Sequence, residues 1–120
     1  MNLQECIVAF LENFPEHEQT YHEHIDFCEE LLGHVFFGDS INLPLTQLLR
    51  ENIDIETIQK YINFIDYMYA TGDEAVKNIV VVTILEYLGD NKKVLENAFR
   101  FFSEDLRKKS IEVERYLGRY

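Results

Sequence analysis

The sequence predicts an all-α fold: a compact array of about seven short antiparallel helices in a single domain spanning residues 1–120. Three observations predict it. Apolar residues recur at steps of three and four along almost the whole chain, capping residues stand at the breaks between those runs, and no two alternating apolar segments offer strands that could pair. At 120 residues the chain is the size of one domain and too short for a second core. With 47% apolar and 13% aromatic residues it can fill that core without disulfide or metal staples.

The first helix, residues 3–14, carries Leu3, Cys6, Ile7, Phe10, Leu11 and Phe14 on one stripe and closes at Pro15. A second runs from Glu16 to Leu32. Gly33 is placed to stop it as the C′ residue, because glycine enters the left-handed region at little cost. Residues 35–40, Val-Phe-Phe-Gly-Asp-Ser, read as a connection. Asn42 is then positioned to cap a short third helix with Pro44 in its first turn and Leu45, Leu48 and Leu49 inward. Asp54 caps a fourth, whose stripe of Ile55, Ile58, Ile62, Ile65 and Tyr69 ends at Thr71-Gly72.

Asp73 caps a fifth helix over 74–88. Its Ile79-Val-Val-Val-Thr-Ile-Leu85 run is β-branched and locally favours strand, but the length between Asp73 and Gly89 and the want of a partner strand make it helix. Apolar on every side, it is expected to be the most buried helix, one that a carboxylate at Val81 would unfold. Helices at about 91–101 and 104–117 follow, capped by Asp90 and Ser103. The joints Thr71-Gly-Asp73 and Leu88-Gly-Asp90 are short enough to fold neighbouring helices into antiparallel hairpins, and a HEAT-like stack of such hairpins is one arrangement the pattern allows.

Charge is distributed unevenly. The chain holds 22 acids against 11 bases, a net of −11. Residues 1–49 have nine acids and no Lys or Arg, whereas residues 91–120 have five acids and eight bases. On a helical wheel the second helix segregates Glu16, Glu18, Glu23, Asp26, Glu29 and Glu30 from His17, Tyr21, His24, Ile25, Phe27, Cys28, Leu31 and Leu32. That acidic half reads either as a solvated face or as a docking surface for a basic partner. Its candidate contacts are Glu16, Glu23, Asp26 and Glu30. The Phe36-Phe37-Gly38-Asp39 corner, with Asp39 as its charge, is the alternative surface.

Several chemistries are excluded. His17 and His22 are five apart, about 140° around a helix, so they do not reproduce the His-Glu-x-x-His zinc arrangement. His17, His24 and Cys28 share a sector with Tyr21, Ile25 and Leu32 and read as core residues, and His34 reads as a hydrogen-bonding corner residue. No Gly-rich phosphate loop or nucleophile elbow is present, so no catalytic residue, metal or cofactor is assigned. Lys92-Lys93 and Arg107-Lys108-Lys109 sit among acids in a strongly acidic chain, which argues against direct nucleic-acid binding. The N-terminal Met-Asn-Leu-Gln-Glu-Cys lacks the features of a signal peptide, and no window approaches the ~20 apolar residues that span a bilayer. A soluble, cytoplasmic protein with no membrane partner and with reduced Cys6 and Cys28 is expected.

The blocks His34-Val-Phe-Phe-Gly-Asp39 and Val80-Val-Val-Thr-Ile-Leu-Glu-Tyr-Leu-Gly-Asp90, with Phe14-Pro15 and Tyr116-Leu-Gly-Arg119, resemble a family of small all-helical bacterial proteins found beside polymorphic toxin genes. The resemblance implies an immunity protein. Such a protein is a non-enzymatic cytosolic antidote that binds the toxin domain of a contact-dependent or secreted antibacterial system. A basic nuclease domain would suit the acidic charge. The competing expectations are a helical adaptor that presents a groove to a peptide or partner helix and, more distantly, a metal-dependent enzyme built on His17, His24 and Cys28.

Overall fold

The computed structural model describes residues 1–28 and 32–119, with side chains left aside at residues 26–28. Helix α1 (Leu3–Asn13) opens on a capping box, in which Asn2 Oδ1 accepts from Glu5 N–H at 2.9 Å and Glu5 Oε1 accepts from Asn2 N–H at 3.0 Å. A 3-10 turn (Pro15–His17) leads into α2 (Glu18–Cys28).

Gly33 does not stop a helix; it begins α3 (Gly33–Phe37). A Cβ there would lie 2.7 Å from Ile79 Cδ1 and 3.0 Å from Leu3 Cδ1, so close packing demands the glycine and left-handed backbone does not. Residues 35–40 are not a loop either. From α3 the chain continues through a π-helical segment, π1 (Gly38–Asn42), directly into α4 (Leu43–Glu51). Asn42 therefore sits inside a continuous helix with helical backbone and caps nothing. Its buried amide is used across the fold, Nδ2 donating to Ile84 O at 3.1 Å. Asn52 and Asp54 turn the chain from α4 into α5 (Ile55–Thr71) with φ of 54° and 53°, left-handed values that Asn and Asp tolerate better than most residues. The Asp54 carboxylate caps α5 by accepting from the Thr57 N–H and hydroxyl.

Asp73 caps α6 (Glu74–Asn78) at Val76 N–H, and α6 passes through π2 (Ile79–Leu85) into α7 (Glu86–Leu88). The β-branched run is thus helical, but with i→i+5 bonding. Branching at Cβ crowds the preceding turn of an α-helix, and the wider π spacing relieves that crowding. Buried positions consequently repeat at five, Ile79 with Ile84 and Val80 with Leu85. Val82 is left 48% exposed and Val81 half-buried, so the segment is not surrounded on all sides as its composition suggested. Asn91 rather than Asp90 caps α8 (Lys92–Phe99), accepting from Lys93 and Val94 N–H, because Asn91 is the residue with extended backbone. Ser103 caps α9 (Glu104–Tyr116).

Seven continuous helical stretches and no strand make up the described residues. Their centre is an aromatic cluster in which Phe10 meets Phe14, Phe36, Phe37 and Phe64 at ring separations of 4.9–5.8 Å. Around it π1 packs on π2, α4 on α8, α1 on α6 and α9 on π2. Those partners are distant in sequence, whereas solenoid repeats touch only their neighbours, so the hairpins close into a bundle. The radius of gyration, 13.7 Å, matches the ~13.6 Å expected of a compact chain of this length. Among the described residues no helix is long and apolar enough to cross a membrane.

Candidate partner-binding face

The segregation predicted for the second helix is present where it is described. Glu16, on the 3-10 turn, and Glu18 and Glu23, on α2, are exposed, while His24 is buried and Tyr21 and Ile25 are half-buried against the core. The contacts within the acidic face are weak ones: Glu18 approaches exposed His22 at 3.7 Å, and Glu23 Oε1 accepts from Gln19 Nε2 at 3.1 Å. Among the described residues no carboxylate of the N-terminal half forms an ion pair with Lys or Arg. Asp26 lies on α2 with its side chain outside the described set, and Glu30 lies outside the described residues altogether.

His17 and His24 serve the core side of this segment. His17 and Tyr61 share a 2.7 Å hydrogen bond through Nε2 and Oη. Burial lowers the His17 pKa, against an opposing pull from Glu16, and burial pushes the Tyr61 hydroxyl up to about 12. Both shifts favour the neutral pair. His24 Nε2 accepts from Leu32 N–H at 2.9 Å, which spends a lone pair that a metal would need. Among the described residues no group of three metal-ligating side chains converges, and the Cys28 side chain lies outside them. Cys6 is buried, and its thiol is pushed up to about 12 by that burial, which leaves it a neutral apolar filler.

Asp39 is exposed on π1, but the corner proposed around it is not a surface: Phe36 and Phe37 are fully buried in the aromatic cluster. The helical continuation through π1 turns both rings inward. His34 is exposed and hydrogen-bonds Thr83 Oγ1, joining α3 to π2 as a corner residue.

Sequence reasoning missed two constellations. The first is a cleft of about 350 Å³ between the end of α1 and α5, lined by Asn13, Phe14, Lys60, Asn63, Phe64 and Tyr67. Its signal was the Lys60, Asn63, Tyr67 spacing of three and four on the polar flank of the α5 stripe. The second is an ion network at the C-terminal end. Arg119 Nη2 and Nε reach the Glu114 carboxylate at 2.6 and 3.2 Å, Nη1 reaches Asp90 at 2.7 Å, and Nη2 also donates to Glu86 O at 2.9 Å. The Glu114 bond, more than any other influence, raises the Arg119 pKa. Together with Lys108–Glu104 and Lys109–Glu112 this places every described Lys or Arg ion pair in residues 90–119. Among the described residues, ion pairs with Lys or Arg thus form within the basic end and none forms within the acidic end.

A family model described as Domain of unknown function (DUF7674) matches residues 7–118. No curated protein and no solved structure matches the chain.

Proposed function

The chain belongs to that family, and we propose that it acts as an immunity protein, a non-enzymatic binder that neutralises a bacterial toxin domain with a basic, nuclease-type surface. The observation that carries this reading is the acidic end: exposed Glu12, Glu16, Glu18 and Glu23, none of them ion-paired to Lys or Arg among the described residues, in a stretch of 49 residues without Lys or Arg. An excess of like charge at one end of the chain opposes stability, and a basic partner relieves it. A nuclease must keep its substrate channel positive, so an acidic bundle can both steer toward that channel and cover it, and steering raises association rates well above the uncharged range. Occlusion is sufficient for neutralisation. The resemblance noted in the sequence supports the same partner class, and the meeting place is the cytoplasm.

Sequencing the genes beside this one for a toxin domain with a basic, nuclease-type surface, and co-expressing the protein with that domain, tests this. Rescued growth and a stable one-to-one complex surviving gel filtration are expected. A folded protein that neither rescues growth nor holds the toxin domain sinks the proposal.

A further inference from the structure

The α1–α5 cleft has a composition that the acidic-face reading does not use. Along α5, Lys60, Asn63 and Tyr67 follow one another at three and four residues and so form a ridge about 10 Å long. Asn13 and Phe14 stand opposite. The Lys60 ammonium lies 4.5 Å from the centroid of the buried Phe14 ring, within cation–π range. Lys60 is the sole Lys or Arg between residues 51 and 76. Among the described residues no carboxylate lies within ion-pair distance of it. In a chain with 22 acids, that is a cation left without its usual partner.

The amides beside it have their roles divided. Asn63 Oδ1 accepts from Gln59 Nε2 at 2.7 Å, which leaves the Asn63 NH2 free to donate. Asn13 Nδ2 donates to Ala9 O at 2.8 Å. One charged donor and one neutral donor thus stand three residues apart at one end of the cleft. At the other end Tyr67, 46% exposed, tilts against Phe64 with ring centroids 5.8 Å apart and forms an aromatic wall.

We propose that this cleft binds a carboxylate attached to a flat apolar group. The carboxylate would sit on Lys60 Nζ and the Asn63 amide, and the apolar body would lie against Tyr67 and Phe64. A carboxylate accepts two donors at once, and charge-assisted bonds are about twice as strong as neutral ones, so the charged end supplies the discrimination. The cleft volume suits a small aromatic acid or the last residue of a peptide with an aromatic C-terminus. Those two sources share the chemistry and differ in what surrounds it. No toxin is needed for the test, so its failure and the failure of the immunity reading are separate events.

The probes are phenylacetate, its neutral amide phenylacetamide, and a pair of short peptides ending in phenylalanine with a free or an amidated C-terminus, each titrated into isotope-labelled protein and followed by backbone amide shifts. Phenylacetate is expected to move the amides of residues 13–14 and 60–67, with phenylacetamide at least tenfold weaker. Lys60→Met should cost at least tenfold in phenylacetate affinity while leaving the melting temperature in place, because Lys60 is exposed. Tighter binding of the free-carboxylate peptide than of phenylacetate assigns a protein C-terminus as the source, and the reverse order assigns a small acid. Equal binding of acid and amide, unchanged binding by Lys60→Met, or no localised shifts up to ~10 mM, a concentration at which a good fragment of this size is bound, overturns the proposal.

Discussion

The Arg119 guanidinium ties together α9, the start of α7 and the α7–α8 joint. It can do so because α9 ends in a Schellman turn: Gly118, at φ 73°, lets Gly118 N–H bond Arg115 O and Arg119 N–H bond Glu114 O, which folds Arg119 back over its own helix. Gly89 is equally required, since a Cβ there would collide with the Glu114 carboxylate and the Arg119 guanidinium. Glu114 is 6% exposed, so removing its cation leaves a nearly buried charge alone. Exposed pairs contribute ~0–1 kcal/mol, while breaking a fully buried pair costs ~3–5 kcal/mol. Arg119→Ala is therefore expected to lower unfolding stability by about 2–3 kcal/mol in urea melts. The double variant Arg119→Ala, Glu114→Ala should lose less than the sum of the two singles, and strict additivity would show that the pair contributes nothing. Helical charge spacing could not reveal this contact. Residues 114 and 119 are five apart and meet only through the left-handed glycine, whereas pairs such as Lys108 and Glu104 follow the ordinary spacing of four.

At the scale of elements the two π segments decide which side chains face the core. In π2 the five-residue repeat buries Val80 completely and turns Val82 to solvent. Val80→Asp is thus expected to unfold the domain, because an unpaired buried carboxylate costs several kcal/mol against a total stability of ~5–15 kcal/mol. Val82→Asp should shift the melting temperature by only a few degrees, and comparable losses at both positions would show that the segment is not π-helical in solution. Val81, the position at which composition alone placed the vulnerability, is half-buried and should fall between them. The helix starts at Asp54, Asp73 and Ser103 were legible because a cap is a local event, a side-chain oxygen meeting an N–H three residues on. The start of α3 at Gly33 and its continuation through π1 were not. Gly33 is fixed by Leu3 and Ile79, and Asn42 by the Ile84 carbonyl, contacts 30 to 46 residues away that no local pattern encodes. The exposure of Glu16, Glu18 and Glu23 was legible from the helical wheel, whereas the Lys60 cleft was hidden, since Asn13 and Phe14 at the end of α1 close it against α5.

Over the whole molecule the charge is polarised, and that polarity yields the sharpest test of how a basic partner would approach. Steering by the N-terminal carboxylates acts over roughly the Debye length, ~8 Å at physiological ionic strength, so association with a basic toxin domain should slow steeply as salt rises while dissociation changes little. Glu16 and Glu23 are both exposed, and among the described residues neither is ion-paired to a cation. Reversing both to Lys should flatten the salt dependence and weaken binding. It should leave thermal stability unchanged or slightly higher, because the reversals also relieve like-charge crowding on the 15–28 segment. The magnitude locates the face within the interface. Charges at a rim alter the on-rate alone, but a desolvated pair at the centre costs ~2–5 kcal/mol when one partner is lost, and most of that appears as faster dissociation. Surface plasmon resonance at two salt concentrations separates the cases. Identical association rates for the wild type and the double reversal at both salts would reduce the acidic face to a solvated surface, and the interface would then have to be sought on the basic end around α8 and α9.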